Sequence, residues 1–338
     1  MAERTAKTTA TLATVADAVG VSRQTVSNAL NAPDKVRQET LARIEAEIER
    51  QSYRPNNSAR NLRIQRSCLL GYCMARPAGG LNPVMDRFIH AITGGAEERG
   101  HHVLLFTEDG APMSTYQELF AHRVVDGFVI SDTEVGDPRH EWFAEQGVPF
   151  AAFGRRFDTE LGPWVDVDGA AGTALAVDHV ADAGHQRIAY IGWPEGSGTG
   201  DDRRAGWRNA CVARGLATSL LRTAIDGVES GRVLATGLLD LADPPTAIVC
   251  ASDAFAIGVL QAVRERGLVP GHDVAVVGFD DAPAAALPGI GLTSVHQPID
   301  EAGEVVVRLV TDRLADPAHE PAGLLLTPTL VVRASSSR

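Results

Sequence analysis

The 338-residue sequence contains no run of about 18 apolar residues and no basic segment followed by an apolar one near its start. We therefore expect no membrane span, no secretion and a cytoplasmic location. Its four cysteines are scattered without CxxC or metal-ligand spacing, so we expect reduced thiols, no metal and no cofactor. The composition, 44% hydrophobic and 22% charged, excludes a disordered or fibrous protein. The length predicts two or three domains.

The net charge of −12 is unevenly distributed along the chain. Residues 1–66 carry 11 Lys and Arg against 7 Asp and Glu, whereas the remaining 272 carry 20 against 36. A small basic segment on a large acidic body predicts one part that contacts phosphate groups and one that does not.

Residues 11–51 have the spacing of three short helices. Thr11 can cap the first helix, Gly20 can end it, and Ser22 can cap the second two residues later. Apolar residues recur at helical spacing and predict the inner faces: Leu12, Val15, Ala16, Val19, Val26, Ala29, Leu30, Leu41, Ile44 and Ile48. A helix, a glycine turn and a short serine-capped helix form a helix-turn-helix.

The outward residues of the second helix all have side chains that can form hydrogen bonds: Arg23, Gln24, Thr25, Ser27 and Asn28. Arginine suits a guanine edge, and glutamine or asparagine suits an adenine edge in the major groove. A merely solvated face would explain this polarity but not the spacing of the helices, so we interpret the face as a recognition surface.

Residues 11–31, TLATVADAVGVSRQTVSNALN, are followed by Tyr53-Arg54-Pro55-Asn56 and Ala59-Arg60-Asn61-Leu62. These segments resemble the headpiece and hinge of the LacI/GalR family of bacterial transcription regulators. The resemblance implies that Arg23, Gln24 and Asn28 read bases. It also implies that Leu62, on a short hinge helix, enters the minor groove, where an apolar wedge unstacks a base step and bends the duplex.

The same resemblance implies a set of phosphate contacts: Thr11, Ser22, Thr25, Ser27, Asn31 and Asn56. We add Arg37 and Arg60 as basic candidates for this set. Arg37 departs from the family pattern, since many members have a serine there that caps the third helix, and we expect this helix to be less well capped.

From Cys68 onward, short apolar runs alternate with amphipathic helical stretches. The predicted strands are Leu69–Met74, His102–Phe106, Gly127–Ser131, Arg187–Gly192, Ala247–Cys250 and Val274–Phe279. The predicted helices include Asp86–Arg99, Ala170–Ala183, Asp253–Arg266 and Glu301–Ala315. This alternation predicts an α/β body with two parallel sheets and helices on both faces, and ligand sites beyond the carboxyl ends of the strands.

The resemblance extends over this body through motifs in family order: Gly184-His185-Gln186-Arg187, Arg203-Arg204-Ala205-Gly206-Trp207, Ser252-Asp253-Ala254, Gly278-Phe279-Asp280-Asp281 and Leu292-Thr293-Ser294. It implies a sensor domain similar to periplasmic sugar-binding proteins, with two lobes, three crossings and an effector in the cleft. We expect a headpiece and hinge at 1–66 and a sensor at 67–338. Its N-lobe comprises 67–167 plus 297–326, and its C-lobe 168–296 plus 327–338.

The resemblance also places effector-binding residues. Arg203 matches a ligand-binding arginine, Asp280 a ligand-binding carboxylate, and Asp168 a further carboxylate of sugar-responsive members. A guanidinium and two carboxylates can form paired hydrogen bonds with vicinal hydroxyls. We add further candidates at predicted strand ends: Asn82, Arg155 and Ser252, the last replacing an asparagine of some relatives. A structural salt bridge or a loop cap is the alternative for each.

Trp164 and Trp193 border predicted strands near the expected cleft. An indole face packs well on the C–H face of a pyranose, although core packing is the alternative for both. These tryptophans and the polar candidates favour a carbohydrate over a purine.

Several other patterns do not support chemistry. Residues 196–201, GSGTGD, follow a strand as a dinucleotide loop would, but Asp201 stands where the third glycine is needed, and we expect a flexible loop over the cleft. Asp166-Val167-Asp168-Gly169 begins like a calcium loop but has Val177 where glutamate is required. No GxSxG, SxxK or HExxH is present, so we expect no enzyme.

The sequence therefore predicts a homodimeric repressor of sugar-utilisation genes that binds a pseudo-palindromic double-stranded operator and is released by a carbohydrate. We expect a dimer because the chain stops soon after Leu330-Val331-Val332-Arg333, without an added heptad helix. The alternatives are a corepressor-type regulator that responds to a purine or sugar phosphate and a sugar-binding protein without gene control. The interpretation as a dehydrogenase rests only on the glycine-rich loop at residues 196–201, which lacks the third glycine.

Overall fold

The structure, a computed structural model, describes residues 10–53, 66–74, 82–108, 113–159, 161–319 and 322–337, with Asn31 described by its backbone alone. The chain divides into two compact units, Met1–Ser67 and Cys68–Arg338. No helix in the described ranges is long and apolar enough to cross a membrane.

The described residues of the first unit form three α-helices and one 3₁₀ turn: α1 Leu12–Val19, α2 Arg23–Asn31, the 3₁₀ turn Pro33–Lys35 and α3 Gln38–Gln51. Thr11 Oγ1 accepts the Thr14 N–H at 3.2 Å, and Ser22 Oγ accepts the Thr25 N–H at 3.0 Å. Gly20 ends α1 with φ 71°, a left-handed conformation that favours glycine. The predicted caps and turn are confirmed.

A small core joins these helices. Its buried members come from all three helices and from the segment just after α3: Val15, Ala16, Val19, Val26, Ile44 and Tyr53. Arg43 of α3 donates to the Val19 carbonyl at 2.7 Å and so ties the end of α1 to α3. Arg37 precedes α3 without a side-chain cap, as expected from its departure from serine.

The second unit is built from two six-stranded sheets with helices packed on them. The strands are β1 Leu69–Cys73, β2 His102–Phe106, β3 Gly127–Ile130, β4 Phe150–Phe153, β5 Trp164–Val167, β6 Ile188–Gly192, β7 Leu221–Thr223, β8 Ala247–Cys250, β9 Ala275–Asp280, β10 Thr293–His296, β11 Leu324–Leu326 and β12 Thr329–Val331. The helices are α4 Pro83–Glu98, α5 Ser114–Ala121, α6 Pro138–Gln146, α7 Gly169–Asp182, α8 Gly198–Ala213, α9 Val228–Leu239, α10 Asp253–Glu265 and α11 Ile299–Ala315, with a 3₁₀ turn at Pro283–Ala286.

The first sheet has the order β11-β5-β4-β3-β1-β2 and the second β12-β10-β9-β8-β6-β7. Every pairing in the first sheet is parallel, so its strands all end at one edge. The second sheet is parallel except for β12, which runs antiparallel to β10. The expected parallel sheets are thus present, with one edge strand reversed.

The chain passes between the two sheets three times, after β5, after β10 and between β11 and β12. Each sheet has a core of its own. Leu70, Phe88 and Val306 lie in the core between the first sheet and helices α4 and α11. Trp207, Phe255 and Val277 belong to the core around the second sheet. We refer to the two sheets with their helices as the N-lobe and the C-lobe.

The prediction of a flexible loop at residues 196–201 is wrong. Ser197 caps α8, its Oγ accepting the Gly200 N–H at 3.2 Å, and the residues from Gly198 onward are helical. A Cβ at Gly200 would lie 2.8 Å from the Trp193 ring, so this glycine allows the first turn to pack closely. The serine cap therefore outweighs the low helix propensity of two glycines.

Candidate nucleic-acid interface and ligand cleft

The outward face of α2 presents the predicted recognition residues. Arg23 and Gln24 are exposed, and Asn28 is half-buried one turn after Gln24. Gln24 Nε2 donates to Asn28 Oδ1 at 2.9 Å. This bond leaves Gln24 Oε1 and the Asn28 amide hydrogens available, so the two side chains present an acceptor and donors along one face. Such a face can pair with base edges.

The predicted phosphate contacts in the described part of the headpiece concentrate at helix N-termini. Thr11, Ser22 and Arg37 are the N-cap residues of α1, α2 and α3, and Thr25 lies within hydrogen-bond distance of Ser22, Oγ1 to Oγ 2.8 Å. Ser27 is half-buried on α2. Helix N-termini carry free N–H groups and a partial positive charge, which favours phosphate. The geometry is compatible with these contacts, which stay predictions.

Three predicted DNA contacts, Asn56, Arg60 and Leu62, lie outside the described residues, as does the expected hinge helix. The side chain of Asn31 is not described either. The wedge assignment of Leu62 therefore stays a prediction.

Arg203 lies at the centre of the C-lobe side of the cleft. Its side chain is only 7% exposed, and Nη1 donates to the Ala251 carbonyl at 2.6 Å and contacts Asp280 Oδ1 at 3.4 Å. The guanidinium lies 3.7 Å from the Phe279 ring centroid and 5.3 Å from that of Trp193. Its Nε is buried and has no hydrogen-bond partner among the residues that the structure describes. A buried donor of this kind is costly unless it is bonded, so the guanidinium is suited to a ligand acceptor.

Asp280 ends β9 beside this arginine. Its Oδ1 also accepts from Gln297 Nε2 at 2.7 Å. Burial raises the pKa of the Asp280 carboxyl to about 6, against the lowering effect of Arg203. Asp280 and Asp281 have backbone φ angles of 117° and 50°, which residues other than glycine rarely adopt. Strained backbone of this kind commonly occurs at ligand sites.

Asp253 stabilises the turn that follows Asp280 through two hydrogen bonds. Its Oδ2 accepts the Ala282 N–H at 2.7 Å, and its Oδ1 accepts from Ser294 Oγ at 2.6 Å. Burial raises the pKa of Asp253 well above its ordinary value. Gly278 lies against Asp253 Oδ1 so closely that a Cβ could not be accommodated. The glycine in Gly278-Phe279-Asp280-Asp281 thus permits the carboxylate to reach the turn.

Ser252 caps α10 and also contacts a carboxylate that the sequence analysis did not single out. Its Oγ accepts the Phe255 N–H at 3.2 Å and donates to Asp226 Oδ1 at 2.5 Å. Asp226 follows β7 and is exposed. The carboxyl ends of β7, β8 and β9 therefore bring Asp226, Ser252 and Asp280 to one wall of the cleft.

Arg155 is bound by two carboxylates. Its Nε lies 3.4 Å from Asp166 Oδ2 in the N-lobe, and its Nη2 lies 3.1 Å from Asp202 Oδ1 on α8 of the C-lobe. The salt-bridge alternative is thus present in the structure, and the assignment of Arg155 to the effector stays a prediction.

Asn82 and Asp168 are both helix caps. Asn82 Oδ1 accepts the N–H groups of Val84 and Met85 at 3.1 and 3.3 Å. Asp168 Oδ1 accepts the Ala171 N–H at 2.8 Å. Each retains polar atoms beyond these bonds, so capping is compatible with ligand binding but does not establish it.

The structure contradicts a sugar platform at Trp164. Trp164 begins β5, whereas the cleft lies at the carboxyl ends of the strands, and its ring packs against Gly323 and the core residues near Phe150. No strand was predicted from the sequence at residues 164–167, so the pattern did not show that Trp164 stands at the amino end of one. Trp193 does follow β6 at the cleft, with Arg203 against its ring, and its contact with a ligand stays a prediction.

Sequence reasoning missed Asp226, Gln297, Asp202 and the pair Tyr72–Ser131, whose hydroxyl oxygens are 2.9 Å apart. Ser131 follows β3 but was placed inside the strand predicted at Gly127–Ser131, and Asp226 follows β7, a strand that was not predicted. Among the described residues, no His, Cys, Asp and Glu cluster could hold a metal ion.

Comparison with known proteins matches both units. Residues 11–56 match the family described as bacterial regulatory proteins, lacI family, and residues 177–336 match the periplasmic binding protein-like domain. The HTH-type transcriptional regulator CelR of Thermobifida fusca is 31% identical over 332 residues, covering 96% of this chain and 98% of that protein.

Two solved structures are similar over nearly the whole chain. The complex of the transcriptional regulator CelR with cellobiose has 30% identity and a TM-score of 0.74, covering 96% of this chain and 99% of that one. The lac repressor dimer bound to operator has 26% identity and a TM-score of 0.82, covering 98% of this chain and 100% of that one.

Proposed function

Because this chain belongs to the lacI family of bacterial regulatory proteins and is a DNA-binding transcriptional regulator, we propose that it represses sugar-utilisation genes and is released from its operator by a carbohydrate. The observation that carries the proposal is the joint presence of a polar α2 face and a cleft containing Arg203 and Asp280. We also propose a cytoplasmic location, where its DNA would be, and no catalytic activity.

The domain assignment follows the two sheets. We assign residues 1–66 to the headpiece and hinge and 67–338 to the sensor. Residues 67–167 plus 297–326 form the N-lobe, and 168–296 plus 327–338 form the C-lobe. The strand orders and the helices packed on each sheet support this division.

On the DNA side, α2 enters the major groove and Arg23, Gln24 and Asn28 read base edges. Thr11, Ser22, Thr25, Ser27, Asn31, Arg37, Asn56 and Arg60 hold phosphates, and Leu62 enters the minor groove. The exposed amides of Gln24 and Asn28 on one helical face support base reading. Two heads on a homodimer would read inverted half-sites, and the solved lac repressor dimer on operator supports that arrangement.

On the effector side, the residues proposed to contact a carbohydrate are Arg203, Asp280, Ser252, Asn82, Asp168, Trp193 and Arg155. A guanidinium with a free Nε beside carboxylates can pair with adjacent hydroxyls, one accepting and one donating. The cellobiose complex of a protein 30% identical to this chain supports a sugar over a purine. Lobe closure on the sugar would alter the DNA-binding state because the two states bind the sugar unequally.

The proposal is tested with the full chain and an operator selected from random DNA. Fluorescence anisotropy should show tight binding that one sugar of a mono- and disaccharide panel abolishes, and light scattering should give the mass of two chains. Arg203→Ala should bind the operator normally but lose the sugar response. Arg214→Ala, which removes an exposed arginine just after the last residue of α8, is the matched control and should respond normally.

Other outcomes identify the alternatives. Tighter operator binding with a purine or sugar phosphate, and no response to any sugar, would establish a corepressor-type regulator. Sugar binding without selection of any DNA sequence would indicate a sugar-binding protein without gene control.

A further inference from the structure

Polar and aromatic contacts between the lobes occur where the segment after β4 faces the start of α8. Arg155 belongs to the N-lobe and Asp202 to the C-lobe, and their Nη2 and Oδ1 atoms are 3.1 Å apart. Their side chains are 20% and 17% exposed. An ion pair largely removed from solvent is less screened by salt than a surface pair. These two charges are therefore placed to influence the separation of the lobes.

Both members of this pair are held by their own lobe. The Arg155 guanidinium and backbone N–H both approach Asp166 Oδ2, at 3.4 and 3.3 Å. Asp202 Oδ2 accepts the Ala170 N–H at 3.1 Å, which leaves Oδ1 for Arg155. Because each side chain is positioned before the lobes meet, less side-chain entropy is lost when the pair forms.

An aromatic contact adjoins the ion pair. The Arg155 guanidinium lies 4.6 Å from the centroid of the Phe157 ring. The same ring covers Gly198 in the first turn of α8, where a Cβ would lie 2.6 Å from Cδ2. Phe157 is 43% exposed, a large apolar side chain left partly in water at the junction. Glycine at 198 lets the edge of the ring approach the helix of the opposite lobe.

We propose that Arg155, Asp202 and Phe157 form a latch that holds the two lobes together in the absence of effector. The proposal rests on the proposed function in one respect, since the latch regulates the cleft in which the effector binds. With the latch formed, the closed arrangement is populated before binding, and a ligand for that arrangement has less conformational free energy to supply. Arg155 then acts as a positioning residue through Asp202.

The distance between the lobes is the direct readout. Nitroxide labels on cysteines introduced at Val135 of the N-lobe and Ile225 of the C-lobe, 56% and 80% exposed, report it by pulsed electron paramagnetic resonance. The background carries Cys68→Ser and Cys73→Ser, and labelled chains are diluted with unlabelled ones. The full-length protein is measured without DNA or sugar.

Asp202→Asn removes the charge and retains an oxygen for Ala170, and it should lengthen and broaden the distance distribution. Arg155→Gln should do the same, and the double variant should add little to either. Asp201→Asn is the matched control. It removes the neighbouring carboxylate, whose partner Arg204 lies in the same lobe at 2.5 Å, and should leave the distribution unchanged.

Phe157→Ala tests the aromatic part without altering charge and should also lengthen the distance. The proposal is overturned if Asp202→Asn and Phe157→Ala both give the parent distribution, or if Asp201→Asn lengthens it equally. These results are independent of the proposed function, because an intact latch with no sugar response would refute sugar sensing alone.

Discussion

Replacing Gln24 with alanine tests whether α2 reads sequence. Gln24 is exposed and bonds to Asn28 across one helical turn, so its loss should change the free energy of unfolding by less than about 0.5 kcal/mol. A side chain paired with a base edge provides about 1–3 kcal/mol of discrimination at its base pair. At about 1.4 kcal/mol per tenfold, affinity should fall by about 5- to 150-fold for each half-site.

The effect should spread to the neighbouring residue. Without Gln24 Nε2, Asn28 Oδ1 loses its 2.9 Å partner, and the Asn28 side chain is no longer held along the recognition face. Asn28→Ala and Gln24→Ala should therefore be non-additive when combined. The coupling free energy, measured in a double-mutant cycle on operator affinity, gives the value of this preorganisation.

The assay is fluorescence anisotropy against the selected operator and every single-base substitution of it, at one salt concentration. Gln24→Ala should lose discrimination at one base pair of each half-site and retain it elsewhere. Arg37→Gln is the contrasting variant and should weaken all sequences alike, with a salt slope reduced by about 0.9 for each lost phosphate contact. Uniform weakening by Gln24→Ala, with discrimination intact, would refute the assignment of α2 as the recognition helix.

Two further predictions concern the cleft and the headpiece. Since burial raises the pKa of Asp280 to about 6, lowering the pH through that value should protonate the carboxyl and weaken sugar binding. The variant Asp280→Asn should bind sugar weakly at every pH. Calorimetry from pH 5 to 8 measures these affinities, and a wild-type affinity that does not change with pH would contradict the prediction. Ile44→Ala should lower the free energy of unfolding of the headpiece by about 2–5 kcal/mol, because Ile44 is fully buried among helices α1 to α3. Chemical denaturation of the full chain followed separately in each unit checks this, and an equal shift of the sensor transition would count against it.

The headpiece could be predicted closely because its signals are local. Thr11 and Ser22 cap their helices and Gly20 takes the left-handed conformation between them, all within a few residues of sequence. Strand β8 was also predicted with correct bounds, since a continuous apolar run marks a buried parallel strand. The bounds of β2, a partly exposed edge strand, were predicted correctly as well. The family resemblance, rather than periodicity, placed Arg203 and Asp280 in one site.

What could not be predicted depends on contacts distant in sequence. The pairing of Arg155 with Asp202 and that of Ser252 with Asp226 join residues 26 or more positions apart. Trp164 begins β5, which is parallel to β4, so it lies at the edge of the sheet opposite the carboxyl ends, and no strand was predicted there from the sequence. The antiparallel direction of β12 could not be predicted for the same reason, because its pairing with β10 depends on tertiary contacts.

The three passages of the chain between the sheets limit how the lobes can move. Three short links side by side form a hinge, which permits rotation of the lobes about one axis and resists shear and twist. Motion of the lobes is then described by a single angle, and any ligand or contact that alters closure acts on that angle. Loosening one link leaves two to guide the swing, so the sensor should tolerate mutation at a single crossing while keeping the direction of its response.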